Sequence, residues 1–468
     1  GKGQLRVEGE RLPELALDVQ LAGNSLVAEG ALGAPQDRLA LRLDAPALEA
    51  LGLGLGGRAS AEGSIGGALA APVGRVQFFG EGLRLPGEVR IGGVNGVVQL
   101  DAGTDGPFAL ALGVSGLGSS APDEDGRPQS DWVSSLRLAA EGTRASHRIE
   151  LAAIAGGNVA PAGVEADALE LGLKGGLAAG TALRWRGELS ALQTTGRVAA
   201  RLLAPVALEL APDAVRLGAA EFNAGDKSRI RLLETAWSPT RSVLRGELSG
   251  LVLELEPRRA DGQRRRGADP LVLGARWDLS VGRTLDGEAR VFREAGDMRL
   301  EGELRTRLGL ERLDAVLRAR GDRLELALDV RGSEFGSLAG EASVRARRSA
   351  EGIWSLPPDT ALSASARLDM PSITWLGRLV RENVETAGRI GGAVAVSGTL
   401  AAPRASGTIN GRELGFTLVD QGLVLSGGEL DLAFDQERVR LLRLEFVSPN
   451  RVQPRDGRIP VAALTASP

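Results

Sequence analysis

Aliphatic residues occupy every second position over much of this chain. Leu15, Leu17, Val19 and Leu21 alternate with Ala16, Asp18 and Gln20, and Leu39, Leu41 and Leu43 alternate with Ala40 and Arg42. The same pattern returns at Val206, Leu208 and Leu210, at Leu251, Leu253 and Leu255, and at Leu324, Leu326, Leu328 and Val330. It closes the chain at Leu430, Leu432 and Phe434 and at Leu442, Leu444 and Phe446. A period of two sends successive side chains to opposite faces, so these segments predict strands with one aliphatic and one hydrophilic face. Strands buried on both faces would read as unbroken Val/Ile runs instead. Turn signals such as Ala22-Gly23-Asn24, Gly92-Gly93, Gly156-Gly157-Asn158 and Ser426-Gly427-Gly428 separate the segments, which suits an all-β array.

Two phrases repeat. Gly30-Ala31-Leu32-Gly33-Ala34-Pro35 returns as Gly67-Ala68-Leu69-Ala70-Ala71-Pro72 and as Gly398-Thr399-Leu400-Ala401-Ala402-Pro403. Arg42-Leu43-Asp44-Ala45-Pro46 with Leu51-Gly52 matches Arg367-Leu368-Asp369-Met370-Pro371 with Leu376-Gly377. A Gly-Gly pair follows in both places. Internal repetition points to a stacked, elongated architecture, with repeated units near 40–115 and 365–450. Each proline lacks an N–H for a ladder and belongs at a strand end or bend. Helical pattern is scarce: Ile373, Leu376, Leu379 and Val380 share one side after Pro371, and Pro46 to Leu51 is the counterpart. One short helix is expected after each Arg-Leu-Asp-x-Pro phrase. Loops 119–131 and 256–270 are polar and without period, but alternation resumes beyond each, so 1–468 reads as one continuous array.

Composition removes most chemistry. The chain has no Cys, which excludes disulfides, Cys-zinc sites and thiol catalysis. His147 is its only histidine, flanked by Arg144 and Arg148 and read as a surface residue, so no histidine-based triad or His-zinc site can form. Gly52, Gly54 and Gly57 spell a dinucleotide-type motif, but Arg58 to Ile65 alternates like a strand where that motif needs a helix. Asp123-Glu124-Asp125-Gly126 lacks the rest of a calcium loop, and the cluster Arg258, Arg259, Arg264, Arg265 and Arg266 has no interleaved aromatics for nucleic acid. The net charge of -4 gives no field to recruit a polyanion. No metal, cofactor or catalytic residue is assigned, and the chain reads as a non-enzyme. Nothing approaches a membrane-spanning helix, and any anchor or export signal is expected outside these residues.

What remains is the aliphatic face. A closed sandwich would bury it between two sheets, whereas an open curl would make it a greasy groove. An acyl chain suits such a groove: each buried CH2 contributes about 0.8 kcal/mol, so roughly fifteen carbons gain on the order of 10 kcal/mol. A uniform Leu-lined stripe holds the chain strongly yet lets it slide. The alternating positions named above are therefore the candidate lipid-binding residues.

The run Val394-Ala395-Val396-Ser397-Gly398-Thr399-Leu400-Ala401-Ala402-Pro403-Arg404-Ala405-Ser406-Gly407, followed by Gly422-Leu423-Val424-Leu425-Ser426-Gly427-Gly428-Glu429-Leu430, resembles the TamB family of Gram-negative cell-envelope proteins, relatives of AsmA. The resemblance is strongest over 360–450 and is echoed at 40–115. It implies a long β-groove, taco-like in section, in a periplasmic protein anchored in the inner membrane. It also implies phospholipid as guest and a part in outer-membrane biogenesis. An Omp85-type barrel, TamA, is the implied partner through parts outside this fragment. A scaffold for outer-membrane and autotransporter client proteins, working by strand augmentation, is the alternative reading.

Overall fold

The computed structural model describes all residues except 9–10, 69–70, 102, 104, 122–130, 157–166, 179–182, 197–198, 226, 254–269, 301–305, 351, 381–382, 437, 450–460 and 467–468. Leu255, the Asp123 loop, the arginine cluster and nearly all of loops 119–131 and 256–270 lie outside the described residues. The rest is almost wholly antiparallel β, in two compact units, Gly1–Asp226 and Lys227–Pro468.

In each unit neighbouring strands in sequence are mostly neighbours in the sheet. Arg11–Leu21, Asn24–Leu32, Arg38–Ala45, Gly56–Ala68 and Ala71–Leu85 pair in succession in unit 1. Leu310–Gly321, Arg323–Gly332, Gly336–Arg345 and Leu362–Met370 do so in unit 2. Such meanders need only tight turns, which explains the glycine punctuation. Neither unit is a sandwich. The aliphatic residues Val98 and Leu326 remain 43% and 44% exposed, where packing between two sheets would hide them.

The repeated phrases mark equivalent modules, one in each unit. Arg38–Ala45 and Leu362–Met370 end on the Arg-Leu-Asp-x pattern and are followed by the expected short helices. The first is a 3-10 turn, Leu48–Leu51, and the second is helix α1, Thr374–Val380. The strands Gly56–Ala68 and Val384–Gly398 come next. Within the Gly-x-Leu-x-Ala-Pro phrase Gly67 pairs with Pro72 and Gly398 with Pro403. Gly67 (φ 82°) and Gly398 (φ 95°) must be glycine there, because a Cβ would meet the carbonyl oxygens of Ala71 and Ala402 at 2.8 and 2.5 Å. The first copy differs: Gly30 pairs with Leu39, and Pro35 sits in a turn.

The hydrophilic face is laced by arginine forks. Arg245 donates to Asp278 and Glu234, both at 2.8 Å, and Arg318 donates to Glu288 at 3.0 Å. Asp314, buried, accepts from Arg290 Nε at 2.7 Å and Nη2 at 2.6 Å and from Arg312 at 3.1 Å. The Arg290 hydrogen bonds hold its carboxyl below the ordinary value against the opposing effect of burial. A carboxyl lowered in the folded state contributes stability that is complete above its unfolded value of about 4 and is lost as pH falls through the lowered value. Asp314→Asn should therefore cost about 1–2 kcal/mol near neutral pH, the arginines being half exposed, and that gap should close in acid. Urea unfolding at neutral and acidic pH checks this; a gap that persists in acid contradicts it.

Candidate functional site

Strand register joins the alternating residues into continuous rows. In unit 1 one row runs Leu17, Ala28, Leu41, Gly63, Val76, Val98, Leu110, Ala140, Ile149, Leu173, Leu189, Val206. Beside it runs Val19, Leu26, Leu43, Ala61, Phe78, Gly96, Leu112, Leu138, Leu151, Leu171, Leu192. Leu15 and Leu39 belong to a third row that passes through Leu100 and Phe108 to Leu208. Leu210 pairs with Trp185, and Leu21, at a hairpin end, is 59% exposed. No charged residue interrupts these rows. With strands about 4.8 Å apart, each is an apolar track running across the strands.

Unit 2 is built alike. Leu326 lies in the row Leu232, Gly246, Trp277, Ala289, Leu317, Leu326, Ala342, Ala364, Val396, Ala405. Leu328 shares a row with Val291 and Phe434, Val330 with Leu368 and Leu432, and Leu324 with Ala319 and Val344. Leu430 and Leu444 continue the row of Met370 and Ile390. Leu251 and Leu253 pair with the buried Leu273 and Leu271.

One position departs from alternation. Between Asp431 and Leu432 the register shifts, so Leu441 pairs with Leu432 and Leu442 is the residue skipped, 55% exposed. A bulge adds one residue and reverses parity beyond it, so Leu441 takes the place expected of Leu442. His147 is also not where its arginine neighbours suggested. It pairs with Gly142 and Gly175, which puts it in the row of Phe108 on the aliphatic face. Trp185 Nε1 donates to its Nε2 at 2.8 Å, and its Nδ1 lies 3.0 Å from the Thr143 carbonyl oxygen, to which it donates. Both ring nitrogens are occupied, so the residue offers no base.

Curvature adds two features that alternation does not carry. On the hydrophilic face of unit 1 lies a hollow of about 1230 Å³, lined by Arg42, Glu62, Gln77, Arg137, Glu150 and Glu170, with Ala111, Ala139 and Gly172 among them. A twisted sheet can be hollow on both faces along different diagonals, and small residues deepen this one. In unit 2 the aliphatic face is half open and half covered. Leu244, Val291, Leu317 and Leu326 are exposed, whereas Met370, Ile373, Trp375 and Leu414 form a buried cluster beneath and within the α1 segment. Among the described residues there is no cluster of His, Cys, Asp and Glu able to hold a metal, and no helix long and apolar enough to cross a membrane.

Residues 2–217, almost all of unit 1, match the family model described as TamB, N-terminal domain. No curated protein and no solved structure matches the chain.

Proposed function

Because the chain belongs to the TamB family, a family of the cell envelope and not one of enzymes, we propose that its aliphatic sheet faces hold phospholipid acyl chains and conduct them between the inner and outer membranes. The observation that carries this reading is the set of uninterrupted apolar rows that stay open to solvent at Val98, Leu317 and Leu326. A soluble protein does not maintain such a surface without an occupant. The rows offer neither nucleophile nor acid–base pair, so they suit a guest that is bound by area alone. Near-equal rows give near-equal energy at successive steps, which favours sliding over trapping. The inner-membrane anchor, the periplasmic location and a partnership with an Omp85-type barrel belong to this proposal. In a transfer assay with donor and acceptor vesicles, the protein should speed exchange of labelled phospholipid well above the spontaneous rate. Unchanged exchange contradicts the conduit.

A further inference from the structure

We propose that helix α1 is a plug seated in an acyl-chain site of unit 2, which an incoming chain displaces. This rests on the lipid-holding reading above.

The plugged surface is the continuation of the open one. From Leu326 the aliphatic face passes along neighbouring strands to Leu368 and then to Met370 and Ile390. At that end Ile373 and Trp375 join Leu308, Met370 and Leu414 in one buried cluster, against which Leu368, Ile390, Leu430 and Phe446 of the sheet pack, and the Trp375 ring lies 6.4 Å from that of Phe335. The contacts with the sheet are apolar and non-directional, so an acyl chain can make the same ones.

Three details separate a plug from permanent core. Trp375 is 8% exposed, and its indole N–H has no acceptor. A buried unpaired donor is a cost that the seated state carries and a displaced helix, in water, does not. Among the described residues the polar anchoring is confined to one stretch of one strand. Thr386 Oγ1 donates to the Ile373 carbonyl oxygen at 2.5 Å and accepts from Gly377 N at 2.9 Å, and Ile373 N donates to the Gly388 carbonyl oxygen at 3.0 Å. Among the described residues the other strands under the helix hold it only by area. Finally, the equivalent segment of unit 1, Leu48–Leu51, buries none of its residues, so the module does not require a plug in order to fold.

The test uses the full chain and a diazirine-bearing fatty acid, with labelled positions mapped by mass spectrometry. Because the chain has no cysteine, Leu376→Cys with Ile390→Cys can be joined by a short bismaleimide to lock the helix down. Trp375→Ala loosens it. Expected are labels at Met370 and Leu430 that fall at least fivefold in the locked form and rise at least fivefold in Trp375→Ala, with labelling around Leu326 retained in both. Equal labelling of Met370 and Leu430 in the double-cysteine protein before and after cross-linking overturns the plug while leaving lipid holding intact. No labelling around Leu326 in any form overturns the lipid reading and the plug together.

Discussion

Leu326→Asp should abolish acyl-chain binding on the open face of unit 2 and leave the protein folded. The residue sits among Leu317 and Ala342 in its row and is 44% exposed. A carboxylate there keeps contact with water in the empty protein, so folding loses little more than one half-exposed leucine, about 1 kcal/mol. An acyl chain laid across it removes that water and supplies no partner, at a cost of several kcal/mol. Binding of a fluorescent fatty acid should accordingly fall by about a hundredfold or more at this site, with an unchanged β-sheet circular dichroism spectrum. Full binding by a folded Leu326→Asp variant would contradict the assignment of this face.

Leu271→Ala makes the opposite case. Leu271 is 1% exposed and packs with Leu273 and Leu310, with Leu251 and Met298 against them. Removing its side chain leaves a cavity that a rigid strand pair cannot close, at an expected cost of about 3 kcal/mol. Leu326→Ala, by contrast, should cost under about 1 kcal/mol, because the side chain is already half in water. Denaturant unfolding of the two variants measures the difference directly. Similar losses would mean that the Leu326 face is covered by something packed as tightly as a core.

The strands were legible because alternation needs only local sequence, and the two short helices because Pro371 and Pro46 each follow a repeated phrase. Face assignment was legible only up to a bulge. Leu248 and Leu251 share a face although three residues apart, since Gly250, at φ 70°, takes the extra residue between them. Nothing in the local pattern marks Leu442 as the skipped residue, because Leu441 is equally aliphatic. His147 was misplaced for a related reason: its neighbours Arg144 and Arg148 suggest water, but hairpin register sets it opposite Gly142. The hydrophilic hollow depends on curvature accumulated over many successive strands and the cover over Met370 on where a helix lands, and local alternation carries neither. The family resemblance was clearest in words at 360–450, whereas the family match falls on residues 2–217, where repetition of pattern carries more than repetition of phrase.

Native mass spectrometry of the chain purified without harsh detergent tests the central claim most directly. Several phospholipid molecules should remain bound to each chain, and fewer should remain on Leu326→Asp. A well-folded protein that carries no lipid would contradict it.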